Sequence, residues 1–395
     1  MLKSISFAFF FRLSNSVLLI FLTPLLLIKY DDIYFSKFAI ISFIIVSIPL
    51  FDCGLTKRLI RDLNKAKSIK DYNEKVKIGA NLFLFLSVLI FVIIFFLSDL
   101  ITNSTPLLNM SIAEKIYFSA SVQLSFISIY FKTIMEVNLL YLNLGAIRLI
   151  HNTLFLSIFL INDQISNTYI FIMILKIFEI SILRYHTSIN FFSFVNLVKL
   201  KNYFFSSYNF ALLSFLPVIL ANAEKFTVTN TLPLNATTII TISEILLKFT
   251  MLSGVISGVF FNYFSKNIYS DFQKKNYIKI LTITNILIYL SIFLICFFKM
   301  DLIINLTGLT FSYEFKIISV TYLIISFLTS LTTPLVALNL VNEKEKIISN
   351  FYLIMTFFLI FFLNIVGTLE ILLLVLLIRV IIDIFFHFLI LDKNV

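Results

Sequence analysis

Residues 79–98 read GANLFLFLSVLIFVIIFFLS, an unbroken stretch without one charged side chain. Coiled as a helix rising about 1.5 Å per residue, it measures roughly 30 Å, the thickness of the hydrocarbon core of a bilayer. Just before it, residues 57–77 crowd together Lys57, Arg58, Arg61, Lys65, Lys67, Lys70, Lys75 and Lys77. An uncharged run behind a basic flank is the pattern of a transmembrane helix entered from the cytoplasmic side.

Working outward, the same pattern recurs along the chain. Apolar runs between charged or turn-forming breaks lie near residues 6–28, 33–52, 79–98, 113–131, 145–162, 166–184, 207–230, 236–264, 278–298, 316–340, 347–366 and 369–391. The expected fold is therefore an all-α polytopic membrane protein of about twelve transmembrane helices. Composition agrees: 60% of the 395 residues are hydrophobic and 13% charged, against about 25% charged in a soluble chain. A soluble enzyme and a single-anchor receptor are both excluded. With no tryptophan present, interfacial anchoring falls to tyrosines near span ends such as Tyr30, Tyr185, Tyr208 and Tyr277. Cys53 and Cys296 fall near opposite faces of this topology, so no disulfide joins them.

Basic residues collect in alternate loops. The loops at 53–78 and 185–206, both termini and Lys132, Lys266, Lys274, Lys275, Lys344 and Lys346 share one side, while Lys29, Lys37, Lys115, Lys299 and Lys316 stand opposite among acidic residues. The positive-inside rule then puts both termini in the cytoplasm. The net charge of +10 is mostly topology and requires no nucleic acid. The longest loops are cytoplasmic, and the outer loops leave no room for a folded domain. The segment Thr56–Lys77 has two readings: an amphipathic surface helix drawn to anionic lipid, or a solvated basic loop that sets topology.

Residues 1–184 (spans 1 to 6) and 207–395 (spans 7 to 12) form two lobes joined by the basic cytoplasmic loop 185–206. Each half places a basic loop after its second span, as a duplicated six-helix unit does. Parallel repeats of this kind build transporters with a central cavity between rocking lobes.

Nothing in the sequence builds a bond-making centre or calls for a cofactor. His151, His186 and His387 lie on separate segments without metal-ligand spacing, and read as interfacial or packing residues; no phosphate-cradling G-x-x-x-x-G-K-[ST] loop is present. What remains is a set of ionisable residues inside spans, each costing about 2.5 to 3.5 kcal/mol at mid-bilayer. Lys176 with Glu179, Glu244 with Lys248, and Arg379 with Asp383 are spaced to pair on one helix face. Glu224 and Lys225 are adjacent, and Arg12 is close enough to its span's start to snorkel to the interface. Each pair either neutralises itself so that a polar helix inserts, or lines an aqueous cavity where cations hold an anionic head group and carboxylates carry a coupling ion. Pro24 and Pro217, each in the opening span of its half, are hinge candidates, and Gly254 and Gly258 permit close helix packing.

Several local stretches resemble one family. Asp52-Cys53-Gly54-Leu55 followed by Arg58 and Arg61 is similar to a D-x-G-L and basic stretch ending the second span of bacterial Wzx-type O-antigen and polysaccharide flippases, of the multidrug/oligosaccharidyl-lipid/polysaccharide exporter superfamily. Lys132 to Glu136 resembles their basic-x-x-x-E segment after the fourth span, and Arg148 with Asn152 their R-x-x-x-N in the fifth. Glu224-Lys225-Phe226 stands where the family has an Asp-Arg pair; lysine keeps the charge but cannot grip a phosphate bidentately.

The resemblance implies a non-enzymatic flippase in the bacterial inner membrane, moving a polyprenyl-pyrophosphate-linked oligosaccharide to the outer leaflet by alternating access. Arg12, Lys225, Lys248 and Arg379 are its candidate substrate contacts, and Glu179, Glu224, Glu244 and Asp383 its candidate ion-coupling carboxylates. Implied partners are the lipid-linked oligosaccharide, membrane lipids, and a polysaccharide polymerase with its chain-length regulator. The alternative on the same fold is an ion-coupled exporter of small organic cations. A membrane glycosyltransferase or polymerase, to which Asp31 and Asp32 point superficially, would need a large outer loop that this chain lacks.

Overall fold

The computed structural model describes residues 52–104, 110–161, 165–187, 195–213, 313–363 and 369–392, with isolated positions between 6 and 14 and between 216 and 294. Arg12, Pro24, Pro217, Glu224, Lys225, Glu244, Lys248, Gly254 and Gly258 lie outside the described residues. The regular elements among those described are helices: α1 (Leu55–Asn64), α2 (Ile69–Ser104), α3 (Ile112–Val137), α4 (Tyr141–Ile161), α5 (Ile165–Thr187), α6 (Leu197–Phe205), α7 (Tyr313–Val341), α8 (Glu345–Leu363) and α9 (Leu369–Asp392). Among them, α2, α4 and α8 contain stretches long and apolar enough to cross a membrane by length and composition. The chain divides into two compact units, a first of residues 17–211 and a second of residues 1–16 and 212–395.

In the first unit α3 packs along α5 and α2, and α1 lies against α2 and α3. The start of α1 explains the Asp52-x-Gly54-Leu55 stretch. The Asp52 carboxylate accepts hydrogen bonds from the backbone N–H of Gly54 (2.7 Å) and Thr56 (3.2 Å), which caps the helix. Gly54 takes φ +72°, and a Cβ there would sit 2.2 Å from the Phe210 carbonyl carbon; only glycine fits. Leu55, Leu59, Ile60 and Leu63 then turn one apolar face into the protein. The amphipathic helix expected within Thr56–Lys77 is present as α1, but its apolar face is covered by protein and not by lipid, and residues 69–77 are the opening turns of α2. Burial, and then the Asp52 charge, push the Cys53 thiol up, so it stays a thiol at neutral pH.

Aromatic rings fill the space between α2 and α3. Phe83 meets Phe126 and Tyr130 at centroid distances of 5.2 and 5.6 Å, and the buried Tyr130 hydroxyl donates to the Val76 carbonyl at 3.0 Å. At its start α3 carries a capping box: Glu114 N–H donates to Ser111 Oγ and Ser111 N–H to Glu114 Oε2.

Between α3 and α4 the backbone closes a Schellman turn: Leu139 N–H donates to Glu136 O and Leu140 N–H to Met135 O, with Leu139 at φ +60°. Between α7 and α8 of the second unit the same turn returns. Glu343 N–H donates to Leu340 O and Lys344 N–H to Asn339 O, with Glu343 at φ +60°. Corresponding residues are 204 apart, as Asn138 and Asn342 are. That register carries on through the following helices: buried Leu144, Ile172 and Leu183 stand where Ile348, Leu376 and His387 are buried. The modules α3–α4–α5 and α7–α8–α9 are thus built in one register, and in each the first and third helices pack together.

Candidate functional site

The third helix of each module carries one carboxylate at the same register position, Glu179 on α5 and Asp383 on α9. Glu179 is only 2% exposed, and an isolated charge so placed is strongly unfavourable. It is held from three helices. Lys176, one turn earlier on α5, places Nζ 3.0 Å from Oε2; Lys132, near the end of α3, places Nζ 2.6 Å from Oε1; and His151 of α4 brings Nε2 to 3.5 Å from Oε2. The other ring nitrogen of His151 lies 3.3 Å from Asn152 Oδ1. With a proton on Nε2 the neutral ring faces the carboxylate as a donor, and only a ring protonated on both nitrogens is cationic.

A second ion pair lies beside the first. Arg148 of α4 donates to Glu136 of α3 at 2.8 Å, tying the helices on either side of the Schellman turn. Lys132, Lys176 and Arg148 therefore meet two carboxylates, and the cluster carries one surplus positive charge with His151 neutral. A cavity of about 250 Å³ opens between α4 and α5 against this cluster. His151, Glu179, Asn143 and His186 supply its polar lining and Ile147 and Phe178 part of its apolar wall.

In the second unit Asp383 has a different company. His387, one turn further on α9 and fully buried, places Nε2 3.4 Å from Asp383 Oδ1. Its ring is also reached by Asn339 Nδ2 of α7 at 3.3 Å on Nδ1 and by Tyr352 Oη of α8 at 3.3 Å on Nε2. Phe351 stacks on Phe386 alongside, centroids 3.5 Å apart and planes 6° from parallel. Arg379 is half-buried one turn before Asp383.

Of the sequence-derived candidates, Lys176 and Glu179 meet on one helix face as their spacing predicts. Lys132 and Arg148, singled out only within short motifs, prove to be the cross-helix partners of Glu179 and Glu136. His151 and His387, read as interfacial or packing residues, instead approach the carboxylates of Glu179 and Asp383. The signal that finds them is the shared register, which pairs Glu179 with Asp383. Arg12, Lys225, Lys248, Glu224 and Glu244 belong to the segments outside the described residues.

No family model matches this sequence, and no curated protein is significantly similar to it. Solved structures are. The chain is similar over 99% of its length to a MATE transporter of Vibrio cholerae, at 14% identity and a TM-score of 0.78, covering 96% of that chain. It is equally similar to an outward-facing multidrug-resistance MATE transporter of the MOP superfamily, at 10% identity and 0.78 over 95% of that chain. A third is a MOP-superfamily transporter of Pyrococcus furiosus described as having a binding pocket of reverse polarity, at 10% identity and 0.77 over 95% of that chain. The fold is that of these transporters, which are not enzymes: an all-α, multi-pass membrane protein.

Proposed function

We propose that this chain is a flippase that carries a polyprenyl-pyrophosphate-linked oligosaccharide across the bacterial inner membrane, from the cytoplasmic to the outer leaflet. The observation that carries the reading is the surplus cation: Lys132 and Lys176 converge on the single carboxylate Glu179, with Arg148 already paired to Glu136. Within a low-dielectric helix bundle such a surplus favours an anionic guest. A pyrophosphate bearing sugars cannot enter hydrocarbon unaided, because each stripped polar group costs several kcal/mol. A shielded polar path that opens first to one side and then to the other answers that cost. Arg12, Lys225, Lys248 and Arg379 are the remaining cations proposed to meet the head group, with Glu224 and Glu244 beside two of them in sequence.

An ion-coupled exporter of organic cations is the second reading. Two observations favour it: structures sharing the fold include a multidrug-resistance transporter, and the half-buried carboxylate Asp383 beside His387 offers a cation a seat.

Reconstituted vesicles separate the two. With a fluorescent short-chain prenyl-pyrophosphate disaccharide in both leaflets, the protein is expected to expose the inner-leaflet probe to an external quencher. Lys176→Val, which removes the surplus charge and leaves Lys132 paired with Glu179, is expected to slow this about tenfold, the equivalent of about 1.4 kcal/mol. Vesicles that leave the pyrophosphate probe in place but accumulate ethidium under a proton gradient would decide for the exporter.

A further inference from the structure

The short helix α6 falls inside the segment expected to be only a connecting loop, and its two sides are unlike. One side is fastened to the first unit. Lys199 Nζ lies 2.6 Å from Glu74 Oε1 at the start of α2. The Arg58 guanidinium of α1 donates to the Tyr203 carbonyl at 2.7 Å, to Ser207 Oγ at 3.2 Å and to Ser206 Oγ, and stacks 4.0 Å over the Tyr203 ring. Arg61 lies 4.7 Å over the Phe210 ring.

The other side is bare. Leu197, Val198, Lys201 and Phe205 follow one another at i, i+1, i+4 and i+8, which puts them on one face of a 3.6-residue helix. Leu197 is 79% exposed, Val198 62% and Phe205 66%, and Lys201 among them is also exposed. Large apolar side chains grouped around a lysine suit neither bulk water nor the middle of a bilayer. They suit the boundary between the two, where apolar groups reach the acyl chains and a lysine stem lets its ammonium rise to the phosphates.

The depth of α6 agrees. Its partner Glu74 stands five residues ahead of the apolar stretch that begins at Gly79, about 7.5 Å along the axis of α2. The ion pair therefore holds α6 at head-group level. Lys199 is neutralised there by Glu74, which leaves Lys201 as the cation on the exposed face, and a single ammonium among apolar side chains selects for a negatively charged head group.

We propose that α6 is an interfacial helix that binds anionic phospholipid, with Leu197, Val198 and Phe205 in the acyl boundary and Lys201 on the lipid phosphate. The site is independent of what the protein transports. Through Arg58 the same helix is tied to α1, and Arg61 of α1 covers the Phe210 ring further along the chain.

The absence of tryptophan from the chain makes the test direct, because Phe205→Trp gives the full-length protein a sole indole on this face. The variant is reconstituted in phosphatidylcholine vesicles containing either brominated phosphatidylglycerol or equally brominated phosphatidylcholine. The indole is expected to be quenched by both, and about twofold more by the anionic lipid, with Lys201→Gln in the same background abolishing the excess. Leu197→Trp, on the same face, is expected to repeat the pattern and guards against a local fault of either variant. Equal quenching by the two lipids before Lys201 is changed would overturn the anionic site. No quenching by either, as for a helix in water or under a partner protein, would overturn the interfacial placement altogether.

Discussion

The module α3–α4–α5 closes two lysines and an imidazole around a fully buried carboxylate, whereas the half-buried carboxylate of α7–α8–α9 lies beside an imidazole and a phenol, with the cation Arg379 one turn before it on α9. Their helices run in one register, so the surroundings can be compared position by position. Lys132, His151 and Lys176 around Glu179 correspond to Val336, Met355 and Val380; Asn339 and His387 around Asp383 correspond to Met135 and Leu183. Each of these polar partners in one module stands where the other has an apolar side chain, whereas Arg148 corresponds to Tyr352, polar in both. The scaffold therefore fixes where a carboxylate sits, while neighbours drawn from other turns and helices decide what it can do. Glu179 is locked by ammonium groups. Asp383 instead joins a hydrogen-bonded network, because His387 has partners on both ring nitrogens.

The largest effect should come from removing Glu179. Glu179→Ala leaves Lys132 and Lys176 facing each other without a counter-charge, and breaking a buried pair in this way costs about 3 to 5 kcal/mol. Asp383→Ala takes one partner from the groups around a carboxylate that is itself half-buried, a smaller loss of about 1 to 3 kcal/mol. Thermal unfolding of the detergent-purified variants should rank them in that order. The triple change Lys132→Val, Lys176→Val and Glu179→Leu should recover most of the loss, since a buried ion cluster exchanged for apolar residues is often close to neutral. An Asp383→Ala protein as unstable as Glu179→Ala would end the distinction between a caged carboxylate and a half-buried one.

His387→Leu installs the first module's residue at the corresponding place and is expected to cost about 1 to 3 kcal/mol, because Asn339 and Tyr352 lose a shared partner inside the protein. Adding Asn339→Met, again the first module's residue, should return part of that loss. A double-mutant cycle on the two positions should therefore give a coupling above about 0.5 kcal/mol. A coupling near zero would mean that the two side chains are neighbours without being a network.

Much of this architecture is legible in the sequence, for a reason that also limits it. Hydropathy marks the part of a helix that meets lipid, so the expected span 79–98 lies inside the longer α2, and 113–131 inside α3. The span expected at 145–162 carries Arg148, His151 and Asn152 in its first half yet is helical from its start to Ile161, because two of these polar groups find Glu136 and Glu179 on neighbouring helices. Spacing along one helix reveals Lys176 beside Glu179. It cannot reveal Lys132 or His151, which arrive from α3 and α4, and in α9 it draws attention to Arg379 while passing over His387 one turn on the far side of Asp383. The glycine start of α1 is visible in the motif, but its cause, the Phe210 backbone lying against Gly54, is more than a hundred and fifty residues away. The stops of α3 and α7 are hidden because their left-handed positions hold leucine and glutamate where a Schellman turn ordinarily has glycine.

Those two stops give the smallest and most discriminating test of the shared plan. A side chain at φ near +60° costs about 1 kcal/mol relative to glycine, and both modules bear that cost at the same register position, Leu139 and Glu343. Glu343 is exposed, so whatever its carboxylate meets is weakened by solvent, and Glu343→Gly should keep most of the relief. Leu139 is half-buried, and Leu139→Gly should surrender in lost apolar burial much of what it gains in backbone freedom. Thermal unfolding should accordingly show Glu343→Gly stabilised by several tenths to about 1 kcal/mol, with Leu139→Gly close to the parent. If Glu343→Gly unfolds more easily than the parent, the two turns are held by different forces despite their common hydrogen bonds, and the repeat does not extend to energetics.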